Sequence, residues 1–366
     1  MTTLIPPPPP NPEKAPIENV LSLTQLPDID PDLFTNTRPM WHPPGARGIY
    51  GGAAIAQCLA AAQRTVPSNF TIHSMHCYFV LNGNADIPII YHVEHVREGR
   101  SFATRTVQAR QRGKPIFTTT MSFVREGAGG KQLVEHEVKM PFVPGPIETD
   151  KDGEATRLPQ GIEGPFESQR IDILNNNSPD PHTKKARQWI RARGKISDKG
   201  GHQAHLSALA YMSDSYFIGT VARVHKLWRM ANPGRARNGK PSIDEDVLKK
   251  LLDENDEQTI LKKFPELNAE HIKDVKESSA SLLKTRTNVA KRPEIGMMVS
   301  LDHTIYFHNP RDFRADDWIF TEMDSPWAGD GRGLVMQRMW TKEGKLIATC
   351  VQEGVVRLKQ EKDSKL

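Results

Sequence analysis

Met297-Met298-Val299-Ser300-Leu301-Asp302-His303-Thr304-Ile305-Tyr306-Phe307-His308-Asn309-Pro310 alternates apolar and polar side chains through most of its length, which is the period of a β-strand. Val299, Leu301, His303, Ile305 and Phe307 are expected on one face, with Ser300, Asp302, Thr304 and Tyr306 on the other. Pro310 ends the run because it has no N–H to give to a ladder. Read alone, this is a half-buried strand with a solvated face. Its neighbours in the chain give it more to do.

Downstream, Asp317–Met323, Gly333–Thr341 and Lys345–Leu358 read as further strands, the last one following the turn Lys342-Glu343-Gly344. In it Leu346, Ala348, Cys350, Gln352 and Val356 share a face, so Gln352 is an amide on an apolar surface and needs partners. Upstream, Arg170–Leu174 and Gln188–Arg193 read as strands, and Gln203–Ile218 as a largely apolar helix. One helical row there runs Leu206, Ala210, Asp214, Ile218. A carboxylate in such a row is costly to bury unpaired, so it is either partnered or exposed at the helix end. Residues 223–292 alternate in charge and read as an insertion with surface helices at Asp244–Lys250 and Glu266–Lys284.

The first half has the same plan. A proline-containing, loop-rich approach leads to Gly48-Ile49-Tyr50-Gly51-Gly52, then to a helix over Ala53–Arg64 whose small residues predict burial. The glycines let N–H groups at the helix start approach an acceptor, or simply make a turn. Strands are expected at Thr71–Val80, Ile87–Glu98, Ser101–Gln111 and Pro115–Val124. One helix followed by an antiparallel meander implies a sheet wrapped around the helix. His73 and His76 lie on the first strand, as hydrogen-bonded structure or as site residues. Each half therefore has a helix, a strand ending in Tyr-Phe (Tyr78-Phe79, Tyr306-Phe307), a Gly-Lys turn (Gly113-Lys114, Gly344-Lys345) and a closing strand. This order suggests duplication of one unit.

Composition narrows the function. The chain has 366 residues, 37% hydrophobic and 25% charged, with no run long enough to span a membrane. Met1–Pro16 lacks the pattern of a secretory signal, and Pro6–Pro10 reads as polyproline. A net charge of +5 mildly favours anionic ligands, yet acids are interleaved with the bases, so nucleic acid is not expected as a partner. Three separated cysteines, Cys58, Cys77 and Cys350, read as buried thiols in a reducing compartment. No metal-ligand spacing occurs, and neither a metal nor a cofactor is expected. Ser364-Lys365-Leu366 reads as a peroxisomal address for an import receptor.

Gly48-Ile49-Tyr50-Gly51-Gly52, His73-Ser74-Met75-His76-Cys77-Tyr78-Phe79, Gly113-Lys114-Pro115-Ile116-Phe117, Leu301-Asp302-His303 and Val351-Gln352-Glu353-Gly354-Val355, in this order, resemble the type II acyl-CoA thioesterases. The family includes bacterial thioesterase II and the eukaryotic peroxisomal acyl-CoA thioesterase. The resemblance implies an α+β double hotdog, two helices each wrapped by an antiparallel β-sheet. With the compositional readings, this divides the chain into a disordered Pro-rich segment 1–29, an N-terminal hotdog 30–126, a Gly- and Pro-rich linker 127–167, a C-terminal hotdog 168–358 carrying the insertion, and a tail 359–366 with the signal. The resemblance implies hydrolysis of fatty acyl-CoA by water held among Asp214, Ser300 and Gln352. Ser300 stands where the bacterial form has Thr, so the hydroxyl is retained; Ala53 follows the double glycine where bacterial relatives carry Gln. Gly51, Gly52 and His76 are expected to bind substrate, and a homo-oligomer is compatible with the family. The residue types suit the chemistry on their own terms: a carboxylate accepts a proton, while a hydroxyl and an amide orient water. Two rival readings stay open at this point, a hotdog enoyl-CoA hydratase and a non-enzymatic acyl-CoA binding protein.

Overall fold

A computed structural model describes residues 7–41, 48–147, 164–227 and 293–360. Proline opens the ordered chain: Pro16 fits the first turn of α1 (Pro16–Val20), and Glu18 reaches back to the Ala15 N–H at 2.9 Å. Ile17 is fully buried, and Glu18 also accepts the Ser197 N–H at 3.0 Å. The stretch expected to be disordered as far as residue 29 is thus held by buried Ile17, Leu21 and Leu23, by Glu18, and by Asn11 and Asn19, which bond each other. β1 (Leu23–Gln25) and β2 (Leu33–Asn36) follow and pair with each other.

α2 (Gly51–Gln63) is buried over most of its length, as its alanines allow. Its amide Gln57 is fully buried, donating to the Val20 carbonyl at 2.7 Å and accepting from the Tyr91 hydroxyl. The meander β3 (Phe70–Phe79), β4 (Ile90–Glu98), β5 (Phe102–Gln111) and β6 (Lys114–Arg125) curls about it. The second half repeats the plan with β7 (Phe166–Leu174), β8 (Lys185–Ala192), α3 (Gly201–Ser213) and a short α4 (Gly219–Val224). Then come β9 (Ile295–Ser300), β10 (Asp302–Phe307), β11 (Ile319–Gly329), β12 (Arg332–Thr341) and β13 (Leu346–Leu358).

Among the described residues the strands form one antiparallel sheet in the order β1-β2-β4-β5-β6-β3-β10-β13-β12-β11-β8-β7, with β9 beside β13. The halves meet at the β3–β10 seam, where Met75 faces Ile305 and Cys77 faces His303. The same register relates each half to the other, so the seam is a pseudo-two-fold axis. α2 and α3 lie side by side and antiparallel beneath it: Gly52 meets Tyr211, and Ser207 donates to Gln63 at 3.0 Å. This is the double hotdog. A separate unit comprises 227–295 and 358–366; within it the Lys359 N–H donates to the Glu294 carbonyl at 2.7 Å. Residues 228–292 and the tripeptide 364–366 lie outside the described residues.

Two local readings need correction. The opening stretch is not one strand. It breaks at Leu301, whose N–H goes to the Glu353 carbonyl and whose carbonyl accepts the Phe79 N–H, while Asp302 captures the Glu353 N–H at 2.7 Å. After the break His303, Ile305 and Phe307 point inward as expected; before it Val299 has turned outward, 39% exposed. The second helix ends at Ser213 rather than running to Ile218. Asp214 caps the helix rather than lying within it, and two residues later Tyr216 adopts a positive φ of 56°.

The helix contact makes Gly52 irreplaceable in steric terms, because a Cβ there would stand 2.2 Å from the Tyr211 carbonyl oxygen. Gly52→Ala is expected to lower stability by about 1–3 kcal/mol or more, read as a lower midpoint of urea unfolding.

Candidate active site

At the end of α3 the chain delivers a carboxylate to the start of α2. Gly52 donates its N–H to Asp214 Oδ2 at 3.0 Å. Gly51 allows this approach: a Cβ at that position would lie 2.7 Å from the same oxygen and 2.9 Å from the Phe79 ring. The positive end of one helix therefore meets the acid that terminates the other. The glycine pair serves both helix packing and the placement of Asp214.

The other carboxylate oxygen is held from the sheet. Gln352, fully buried on β13, donates from Nε2 to Asp214 Oδ1 at 2.9 Å. The same nitrogen lies 3.1 Å from Nδ1 of His303, which sits on neighbouring β10. His303 is fully buried; its Nε2 is 2.9 Å from Ser213 Oγ, and its Nδ1 is 4.0 Å from Asp214 Oδ1. Gln352 Oε1 is buried without a hydrogen-bond partner among the described residues. An unpaired buried amide oxygen carries a desolvation cost of about 1–3 kcal/mol, so it is a place where a bound donor would gain most.

Burial dominates the electrostatics. It raises the Asp214 pKa to about 6, against the opposing hydrogen bonds from Gln352 and Gly52. The carboxyl is thus poised to change protonation close to neutrality, which suits a general base. Burial pushes His303 down to about 3, so it is neutral. Tyr50, which donates to the Tyr211 carbonyl at 3.1 Å, and Tyr211 form an aromatic wall with Phe166; both phenols are raised by burial and by the Asp214 charge. Burial likewise raises all three thiols, Cys77 to about 12, leaving no ready nucleophile among them.

Asp214 and Gln352 are therefore brought into direct contact, with Gly51 and Gly52 beside them. Ser300 ends β9, one residue before the break at Leu301, and its hydroxyl is hydrogen-bonded to neither Asp214 nor Gln352. His76 is elsewhere. It lies on the outer sheet face, exposed, 3.3 Å from the Thr304 hydroxyl and edge-on to Tyr306. Strand alternation sends His76 outward because Met75 and Cys77 point in, so it does not join this cluster. Gly52 also departs from expectation: its N–H is spent on Asp214 and so cannot serve a substrate oxygen. Sequence reasoning passed over His303 and Ser213. The signal available for His303 was an imidazole in an otherwise apolar row, opposite the strand that carries Gln352.

Comparison with known proteins places the chain in a family. Residues 37–124 match the acyl-CoA thioesterase N-terminal domain and residues 145–356 the acyl-CoA thioesterase C-terminal domain. The chain belongs to the type II acyl-CoA thioesterase family. Within that family it is 33% identical to acyl-coenzyme A thioesterase 8 of Homo sapiens, over 95% of this chain and 92% of the relative. It is 26% identical to peroxisomal acyl-coenzyme A thioester hydrolase 1 of Saccharomyces cerevisiae, covering 96% of this chain and 97% of the relative. The crystal structure of the acyl-CoA thioesterase II TesB2 from Mycobacterium marinum superposes with a TM-score of 0.61 at 25% identity, over 95% of this chain and 99% of that one.

An acid with a raised folded-state pKa binds its proton more tightly when folded, so its contribution falls as pH rises from about 4 through about 6. The shift from 3.8 to about 6 corresponds to roughly 3 kcal/mol. The stability of the wild type relative to Asp214→Asn should therefore decline by up to that amount between pH 4 and pH 7, measured by urea unfolding at each pH.

Proposed function

We propose that the protein hydrolyses fatty acyl-CoA to a free fatty acid and CoA by direct attack of water. The observation that carries this reading is the buried contact of Asp214 with Gln352 and the Gly52 N–H. Asp214 takes a proton from the water as its oxygen attacks the thioester carbonyl. Gln352 Oε1 accepts the water's other hydrogen, and the Ser300 hydroxyl completes its orientation. The tetrahedral intermediate collapses with loss of the CoA thiolate, which recovers a proton from Asp214 or solvent. The Gly51 N–H, at the open end of α2, is the candidate donor to the carbonyl oxygen. No covalent acyl-enzyme is required.

The hydratase alternative needs a histidine free to exchange a proton with substrate. His303 does not suit that role, since both ring nitrogens are engaged inside the protein. We assign the peroxisome as location, supported by the name of the yeast relative and by Ser364-Lys365-Leu366.

Thiol release from palmitoyl-CoA, followed with a thiol-reactive dye, tests the chemistry. Wild type should turn over, with kcat/KM falling below pH about 6 as Asp214 is protonated. Asp214→Asn should lose about 10²–10⁴-fold in kcat, and Ser300→Ala and Gln352→Ala about 10²-fold each. Binding of acyl-CoA without thiol release at any acyl length would instead identify a binding protein. For the location, a fluorescent fusion at the N-terminus should appear in peroxisomes and become diffuse when residues 364–366 are deleted; an unchanged pattern would refute the import signal.

A further inference from the structure

A side-chain amide can bind in two orientations related by a half-turn, and only one of them serves hydrolysis. With Nε2 toward Asp214, the amide donates to the carboxylate and leaves Oε1 to accept from water. With the groups exchanged, two acceptors confront each other and the water meets a donor. Contact with Asp214 alone selects the first orientation only while the acid is ionised. Once Asp214 has taken the proton from water, it can pair with either end of the amide, donating its O–H to Oε1 or accepting from Nε2 through its carbonyl oxygen.

The second partner of Gln352 removes this freedom. Ser213 Oγ donates to the Ala210 carbonyl at 2.9 Å, a contact inside α3 that uses the only hydroxyl hydrogen. Its oxygen therefore accepts from His303 Nε2 at 2.9 Å, which puts the imidazole proton on Nε2. His303 is fully buried and held neutral, so Nδ1 is left as an acceptor, 3.1 Å from Gln352 Nε2. The two hydrogens of Nε2 then go to His303 and to Asp214. Every member of this chain has its polarity set by the one before it, beginning at a helix carbonyl.

We propose that Ser213 and His303 are positioning residues for the hydrolysis, fixing the Gln352 amide so that Nε2 faces Asp214 and Oε1 faces the reacting water throughout the catalytic cycle. This rests on the reading of Asp214 and Gln352 given above. Neither Ser213 nor His303 touches substrate in this scheme. Their influence passes through Gln352 to the carboxylate, and so it is visible in the titration of Asp214. The groups that face that carboxylate are His303 from β10, Gln352 from β13, the Gly52 N–H from α2, and the phenols of Tyr50 and Tyr211 and the Cys77 thiol, whose ionisation its charge opposes.

The experiment is the pH profile of kcat/KM for palmitoyl-CoA in wild type, His303→Leu, His303→Asn and Ser213→Ala, with circular dichroism to establish folding. His303→Leu and Ser213→Ala free the amide to rotate. Each should move the acidic limb upward by about one pH unit and lower kcat tenfold or more, with KM changed less than about threefold. In His303→Asn the Oδ1 atom stands close to where Nδ1 stood, so the limb should return toward the wild-type position. An unmoved limb in His303→Leu, or an Asn variant no better than the Leu variant, would reduce His303 to packing and overturn the proposal. The wild type gives a second test independent of turnover. ¹⁵N NMR of protein labelled at histidine should show His303 neutral and protonated at Nε2 from pH 5 to pH 8. A ring protonated at Nδ1 or at both nitrogens would overturn the proposal even if the variants failed to fold. Absence of thiol release by wild type would count against the thioesterase reading, and the NMR result would still judge the orientation of the amide.

Discussion

The close approach of two helix ends organises this molecule. Where α3 stops, its acid is presented to the first N–H groups of α2, and two glycines remove the bulk that would keep them apart. The helix dipole works against Asp214 at its own helix end and in its favour at the neighbouring one. Burial then prevails, and the acid is left with a pKa raised to about 6, still largely ionised at neutral pH but far more basic than an ordinary carboxylate. A better solvated carboxylate would be a weaker base. A more isolated one would stay protonated. The contact between helices thus sets both the packing of the core and the reactivity of the group at its centre.

The sheet supplies what the helices lack. β10 and β13 are distant in sequence but adjacent in space, and on them His303 and Gln352 face inward among residues such as Ile305 and Cys350. Buried amides and imidazoles of this sort bind strongly only when every partner has the right polarity. Here the chain of hydrogen bonds runs from one acceptor, a main-chain carbonyl, to another, a carboxylate. Only Gln352 Oε1 lacks a partner in it, and that atom is the one assigned to water.

Much of this could be read from the chain alone, because it is local. Alanines in α2, alternation in the strands, the repeated Tyr-Phe and Gly-Lys signals and a carboxylate in an apolar row are all short-range patterns. What escaped was non-local or carried no residue signature. The end of α3 at Ser213 carries no glycine or proline signal in the sequence that follows it directly, Asp214-Ser215-Tyr216. Order near the N-terminus depends on Glu18 reaching Ser197, a partner far along the chain, so prolines alone misled. The break at Leu301 needs Asp302 to take a ladder N–H from β13. His76 was assigned to the site by its motif, yet strand alternation turns it to the outer face.

The internal repeat carries a further consequence. Matching Tyr78-Phe79 with Tyr306-Phe307 sets Met75 in the place of His303, and matching the Gly-Lys turns sets Met121 in the place of Gln352. The residue that caps α2, as Asp214 caps α3, is Arg64. Met75 and Met121 are paired across β3 and β6, and both are fully buried. The duplicated fold therefore contains one polar centre and one hydrocarbon counterpart at its pseudo-symmetric position. There Met75 and Met121 fill volume in the core beneath the shared sheet. The frame is pseudo-symmetric and its polar centre is not: the same place in the sheet holds two methionines in one half and a histidine with a glutamine in the other.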